Sequence, residues 1–178
     1  SEEISLNEAM EKEGIQVIET DLGERIVQLG HEKPSHIIAP AVHRTKQEVA
    51  HLFSESTGEE VPPDIYEITK VARKTLRNTF LDAGMGIVGV NIAIAETGSI
   101  IIVTNEGNEG LVSSLPPIVV AIMGMEKLVT SIDDAVNVLD VLPKSATGQK
   151  ITSYISILTG LNSYNASDRR QFHIIILD

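Results

Sequence analysis

The chain alternates between stretches with helical spacing of apolar residues and short β-branched runs. "SLNEAMEKEG" sets Ser5 and Glu8 at capping-box spacing and stops at Gly14, which predicts a short helix. "IQVIET" (15–20) predicts a short strand, and "SHIIAPA" (35–41), apolar and ended by Pro40, a buried one. Thr45 and Glu48 repeat the capping box ahead of a helix over "KQEVAHLFSES". Residues 56–64 predict a loop that leads to Pro62–Pro63. In the stretch after it, Ile65, Ile68, Val71, Ala72, Leu76 and Phe80 recur at helical spacing. Residues 87–104, "IVGVNIAIAETGSIIIVT", predict two strands joined at Glu96–Ser99, a hairpin around 91–104. A glycine-rich loop (104–110), a buried strand (118–125), a helix (131–142) and a loop after Pro143 (143–149) follow. Strands at 151–158 and 172–178, separated by a polar connector, complete the pattern.

Strands and helices mixed in this way predict an α/β fold, with a mostly parallel sheet, helices on both faces and some antiparallel pairing. Composition agrees. Hydrophobic residues make up 42% of the 178 and aromatics only 3%, so the core is aliphatic and suits buried strands. The length is enough for one domain with a sizeable core, and no repeat or internal linker divides it. Charge narrows the partners. With 25 Asp and Glu against 14 Lys and Arg, the formal net charge is −11, which disfavours nucleic acid and anionic membranes. There is no Cys, so disulfides, Cys-held zinc or iron–sulfur clusters and thiol catalysis have no ligands or nucleophile in this sequence. No run of 18 apolar residues and no charged-then-apolar leader occurs, and a cytoplasmic protein without a membrane span is the expectation.

"DAGMGIVGVN" contains Gly84, Gly86 and Gly89 at dinucleotide-fingerprint spacing. That fingerprint needs a strand before the glycines and a helix after them, so that a helix N-terminus meets the pyrophosphate. Here a helix precedes and strand formers follow, so the glycines read as a helix end and a tight strand entry, and no cofactor-binding residues are assigned. Three loops remain as candidates. Glu96, Thr97, Gly98 and Ser99 form one, with Glu96 a candidate base or nucleophile and a plain hairpin turn as the alternative. Asn105, Glu106, Gly107 and Asn108 form the second, rich in backbone N–H groups that suit an anion, with Glu106 a second candidate acid or base. Lys144, Ser145, Thr147, Gly148 and Gln149 lie in the third, which reads equally as helix termination. All three are expected to border one cleft. Should the hairpin put 96–99 and 105–108 at opposite ends, 105–108 is the preferred site. His36, His43, His51 and His173 are too scattered for a metal motif, and no metal residues are assigned; only His43 sits at a plausible strand end. Arg73, Lys74 and Arg77 form a basic stripe that reads as a solvated face or partner contact.

Longer stretches carry a resemblance. "GMGIVGVNIAIAETGSIIIVTNEGN", "LPPIVVAIMGMEKLV" and "LPKSATGQKITSYISILTG" resemble the lactate-utilization (LUD) domain, and within it the iron–sulfur subunit of the bacterial lactate-utilization (Lut) system. "EEISLNEAMEKEGIQVIETDLGERIVQLGHEKPSHIIAPAVHRTKQEVA" matches the earlier part of the same domain, so the likeness covers essentially residues 1–178 as one LUD-type domain. The resemblance implies a fold like ribose-5-phosphate isomerase, glucosamine-6-phosphate isomerase and the CoA transferases. It implies a part in oxidising L-lactate to pyruvate, as a substrate-side or assembly module beside other subunits of the complex, with a small carboxylate as ligand. In that family a Cys-rich segment with two 4Fe-4S clusters follows the domain, and a strand and helix precede it. The chain is therefore expected to be excised from a longer one, to hold no cofactor itself and to be inactive on lactate alone. The alternative is a free-standing small-acid or sugar-phosphate enzyme, isomerase- or CoA-transferase-like.

Overall fold

In the computed structural model, which describes residues 6–36, 39–159 and 170–178, the chain forms two compact units, Ser1–Leu81 and Asp82–Asp178. The first is helical: α1 (Leu6–Lys12), α2 (Leu22–Leu29), α3 (Lys46–Thr57) and α4 (Ile65–Asp82). The predicted capping box opens α3: Glu48 N–H donates to Thr45 Oγ1 at 3.3 Å, and Thr45 N–H donates back to Glu48 Oε2 at 2.8 Å. Phe53, Val49, Ala50 and Val61 pack with Ile26, Ile68 and Ala72 as this unit's core.

Two expected strands are absent from this unit. Residues 15–20 are irregular, because the side chain of Gln28 on α2 takes the place of a neighbouring strand. It accepts from Glu19 N–H at 3.1 Å and donates to the Val17 carbonyl at 2.8 Å. Gln28 can do so because it lies on α2, a helix the pattern missed, which Asp21 caps by accepting from Gly23 and Glu24 N–H. Of residues 35–41, positions 37–38 lie outside the described residues. The remainder is a bend and turn, in which Ser35 N–H donates to the Pro40 carbonyl at 3.0 Å.

The second unit is mixed α/β, and its first sheet is parallel throughout: β1 (Met85–Gly89), β4 (Ile118–Gly124) and β7 (Gln171–Leu177), in the order β1-β4-β7. A second sheet has the order β5-β2-β3-β6, from β2 (Ile92–Ile94), β3 (Ser99–Thr104), β5 (Leu128–Val129) and β6 (Tyr154–Leu158). The predicted hairpin is β2–β3, with Ile94 opposite Ser99. The run before it splits between the sheets: Val90 N–H still bonds β4 through Ile122, whereas Asn91 N–H bonds Ile101 and Asn91 Oδ1 accepts from Val103 N–H. Alternate residues of β1 and β4 (Val88, Val119, Ala121, Met123) meet Ala93, Ile100 and Ile102 in a shared core. The opposite face of the second sheet, Ile92, Ile94 and Ile101, is closed by Ala135 of α6 (Ile132–Thr147).

Two helices differ from the pattern. α5 (Asn108–Ser114) grows out of what reads as a glycine-rich loop. α6 runs through Pro143, the expected stop, to a left-handed Gly148. The Pro143 ring is buried, and the Thr147 hydroxyl donates to its carbonyl at 3.1 Å. The lost N–H bond of Pro143 is thus offset by packing and by a side-chain bond in the last turn.

Candidate functional site

The glycines at 84–89 follow α4 and enter β1, the helix-then-strand order expected from sequence. At Gly86 the requirement is packing, whereas a Cβ at Gly84 or Gly89 would meet nothing within 4 Å. A Cβ on Gly86 would lie 2.1 Å from the Val112 carbonyl oxygen, so α5 can lie on β1 only where the strand has no side chain.

Seating α5 there fixes the loop before it, Asn105–Gly107, at the C-terminal end of β3. Asn105 Nδ2 donates to Gln149 Oε1 at 3.2 Å, and Thr147 Oγ1, whose one hydrogen is shared between this oxygen and the Pro143 carbonyl, lies 2.8 Å from it. Asn105 Oδ1 accepts from Ser153 N–H at 3.2 Å and lies 3.4 Å from Thr152 Oγ1, which also bonds the Thr104 carbonyl. Glu106 is exposed, and its N–H donates to Thr104 Oγ1. Gly107 has φ 73°, which favours glycine, and a Cβ there would press on the Tyr154 ring at 3.3 Å. Asn108 begins α5. The second and third sequence candidates therefore form one polar cluster. Ser145 is exposed in the last turn of α6, and Gly148 ends that helix.

The first candidate is elsewhere. Glu96, Thr97 and Gly98 form the hairpin turn, at the other end of β3 from Asn105. Five residue steps at ~3.3 Å separate Ser99 from Thr104, roughly 17 Å. The single cleft across all three loops is thereby corrected: the hairpin's length divides it. The turn also uses its polar groups locally, on itself and on the end of the neighbouring β5. Thr97 Oγ1 donates to Ser99 Oγ at 2.7 Å and accepts from Ser99 N–H at 3.2 Å, Gly98 N–H bonds the Ile94 carbonyl, and Glu96 N–H bonds Thr130.

Beside the cluster lies a carboxylate that the pattern missed. Glu109, in the first turn of α5, is only 7% exposed. Ser156 Oγ on β6 donates to its Oε2 at 2.7 Å, and its buried Oε1 has no hydrogen-bond partner among the described residues. Gln149 belongs to the third candidate loop, whereas Thr152, Ser153 and Ser156 were missed; all four lie 44 to 48 residues from the groups they bond, a separation no local motif reports.

The histidines stay apart: His51 pairs with Glu55, His173 with Gln171, and His43 with Ser35 and Glu32. No group of three His, Asp or Glu suited to a metal occurs among the described residues. The basic stripe is partly paired, with Lys74 Nζ at 3.3 Å from Glu59. No helix among the described residues is long and apolar enough to cross a membrane.

The cluster at 105–109 and 147–156 is drawn from the segments that carry the family motifs, and the sequence model of the LUD domain matches residues 3–177. The chain belongs to the LUD domain family. It is 44% identical, along its entire length, to "Lactate utilization protein B" of Bacillus cytotoxicus and 43% identical to the protein of that name from Bacillus cereus strain AH820. This LUD chain spans 38% of the length of each. Among solved structures it is similar to a DUF162 family protein from Deinococcus radiodurans, at 19% identity over 55% of each chain with a TM-score of 0.40.

Proposed function

We propose that this chain is the substrate-side module of a protein that takes part in lactate utilisation, within an assembly that oxidises L-lactate to pyruvate. The reading rests on the 43–44% identity to lactate utilization proteins B across every residue of the chain. The polar cluster supports it. Gln149 Oε1 accepts two bonds, which leaves its amide N–H groups for a ligand carboxylate, and Lys144 and Lys150 flank it in sequence. An anion at that point of an otherwise acidic chain suits lactate or pyruvate.

Oxidising lactate releases two electrons, and they need an acceptor. A thiolate-held cluster has no ligands in these 178 residues, which contain no Cys, so the residues present do not fit one. The two 4Fe-4S clusters that the family implies belong to a Cys-rich segment outside these residues. Assembly with further protein is supported by edge strands β6 and β7, where Ile155, Ile157, Ile174, Ile175, Ile176 and Leu177 are exposed.

Calorimetric titration with L-lactate and pyruvate tests the reading. Saturable binding that Asn105→Ala abolishes and Thr97→Ala preserves is the expected result. A lactate utilization protein B with this chain in place of its own LUD segment should also restore growth on L-lactate. Absence of both binding and growth overturns the proposal.

A further inference from the structure

The segment from Glu32 to Arg44 in the helical unit holds a second set of chemically competent side chains. The Ser35–Pro40 backbone bond closes a loop there, and the turn bonds Val42 N–H to Ala39 O and Arg44 N–H to Ala41 O reverse the chain. That brings His43 back against Ser35. His43 Nδ1 lies 2.8 Å from Ser35 Oγ, and His43 Nε2 lies 2.9 Å from Glu32 Oε2. Arg44 anchors the carboxylate by donating from Nε to Oε2 at 3.2 Å and from Nη2 to Oε1. The His43 and Arg44 bonds hold the Glu32 carboxyl below its ordinary range.

Hydrogen placement follows from these partners. A carboxylate only accepts, so His43 Nε2 carries a hydrogen and donates it to Glu32. In the neutral ring Nδ1 is then an acceptor, aimed at the Ser35 hydroxyl. The Pro40 carbonyl, 3.0 Å from Ser35 Oγ, is the competing acceptor. The ring is turned the opposite way from a serine protease, where Nε2 faces the hydroxyl. Either nitrogen can receive a proton while the other keeps one, so the chemistry is the same. Ser35 and His43 are open to solvent, with 37% of the His43 side chain exposed, so a small reagent reaches both.

We propose that Ser35, His43 and Glu32 act as nucleophile, base and orienting acid towards small activated acyl esters. Ser35 Oγ bonds to the acyl carbon as its proton passes to His43 Nδ1. The bond from the acyl carbon to the leaving oxygen breaks, and the leaving group takes the proton from His43. Water, deprotonated by the same nitrogen, then hydrolyses the acyl-serine and restores the hydroxyl.

The test is acylation of the intact chain by p-nitrophenyl acetate, with acetylated serines mapped by tandem mass spectrometry over time. Exposed Ser145, which has no histidine beside it among its known contacts, is the control within the same molecule. Ser35 should be acetylated on the order of a hundredfold faster than Ser145, the usual worth of a positioned base. His43→Gln should remove that advantage, and Glu32→Gln should reduce it, with circular dichroism unchanged. Equal rates at Ser35 and Ser145 in the unmodified chain overturn the proposal whatever the variants do. So does a His43→Gln chain that is still folded and still acetylates Ser35 at the original rate.

Discussion

The two ends of strand β3 look alike in sequence and differ in what they do with their polar groups. At one end Glu96, Thr97, Gly98 and Ser99 offer a carboxylate, two hydroxyls and a glycine; at the other Asn105, Glu106, Gly107 and Asn108 offer a carboxylate, two amides and a glycine. The first is a closed turn, with Thr97 and Ser99 bonded to each other. The second is bonded outward, to Gln149, Thr152 and Ser153, and stands next to a buried carboxylate. The difference comes from the neighbours rather than from the loop. A hairpin turn must rejoin its own partner strand within a few residues, so its polar groups are used locally. The far end of the same strand is met by another helix end and another strand, and its side chains link the three.

The largest effect should come from the residue that seats α5, and with it the 105–109 end. A Val side chain at Gly86 collides with the Val112 carbonyl, a backbone atom that cannot swing aside. Gly86→Val should cost about 3 kcal/mol, at the severe end of overpacking. Urea denaturation followed by circular dichroism measures it. A loss well under 1 kcal/mol would mean that α5 is not held against β1 there.

That position also shows how much was legible in the sequence. The spacing of Gly84, Gly86 and Gly89 is visible, and so is the helix-then-strand order around them, which the structure keeps. What Gly86 packs against is not visible, because Val112 belongs to a helix hidden in a glycine-rich stretch. The pattern is reliable where the cause is local. Thr45 and Glu48 announce α3, and Ser131 with Asp134 caps α6 in the same way. It fails where a distant group decides. Gln28 stands in for a strand beside Val17, the buried ring of Pro143 carries α6 one turn further, and Asn105 meets Gln149 across 44 residues. For the site, the sequence expects three loops at one cleft; the structure joins 105–108 to 145–149 through Asn105 and Gln149 but puts 96–99 at the other end of β3, and Glu109 and Ser156 carry no signal at all.

The next effect belongs to that missed pair. Ser156→Ala removes the donor to Glu109 Oε2 and leaves a buried carboxylate whose other oxygen already has no partner among the described residues. The cost should be roughly 2 kcal/mol, the usual worth of a hydrogen bond to a charged group. Replacing both residues, Glu109→Leu with Ser156→Ala, should recover much of it. A double-mutant cycle in urea reads the coupling, and additive losses would show that the two side chains do not act together.

The comparison of the two ends is sharpened most directly by one truncation at each. Asn105→Ala removes bonds to Gln149 and Ser153 but in an exposed setting, so it should cost about 1 kcal/mol. Thr97→Ala should cost about half that, because only the local turn bonds are lost. Stability separates the pair weakly and ligand binding separates it fully, since only the Asn105 end is offered as a site. If lactate binding is lost in Thr97→Ala and kept in Asn105→Ala, the assignment of roles to the two ends is reversed.

The smallest effect is a control on pH, set by the helical unit rather than by either end of β3. Glu32 is held below the usual carboxylate value of 4.5 by hydrogen bonds from His43 and Arg44, and Glu48 by the backbone and hydroxyl of Thr45. A carboxyl whose folded pKa is depressed binds fewer protons than it does in the unfolded chain, so it favours the folded state above 4.5. That contribution falls away as the pH drops from there through the lowered folded value. Both groups are solvent-exposed, so their share is small and sensitive to salt. Glu32→Gln should therefore flatten the decline in unfolding free energy below pH 4.5 and leave the curve near pH 7 with the same slope. Asn105→Ala and Thr97→Ala should lower the whole curve without changing its acid limb. Urea midpoints taken at intervals from pH 7 to about 3 distinguish the two behaviours, because only loss of a titrating partner alters the slope. An acid limb that is unchanged in Glu32→Gln would show that Glu32 does not contribute to the acid sensitivity, and one flattened by Asn105→Ala would place a titrating group of the β3 region, such as Glu106 or Glu109, behind it.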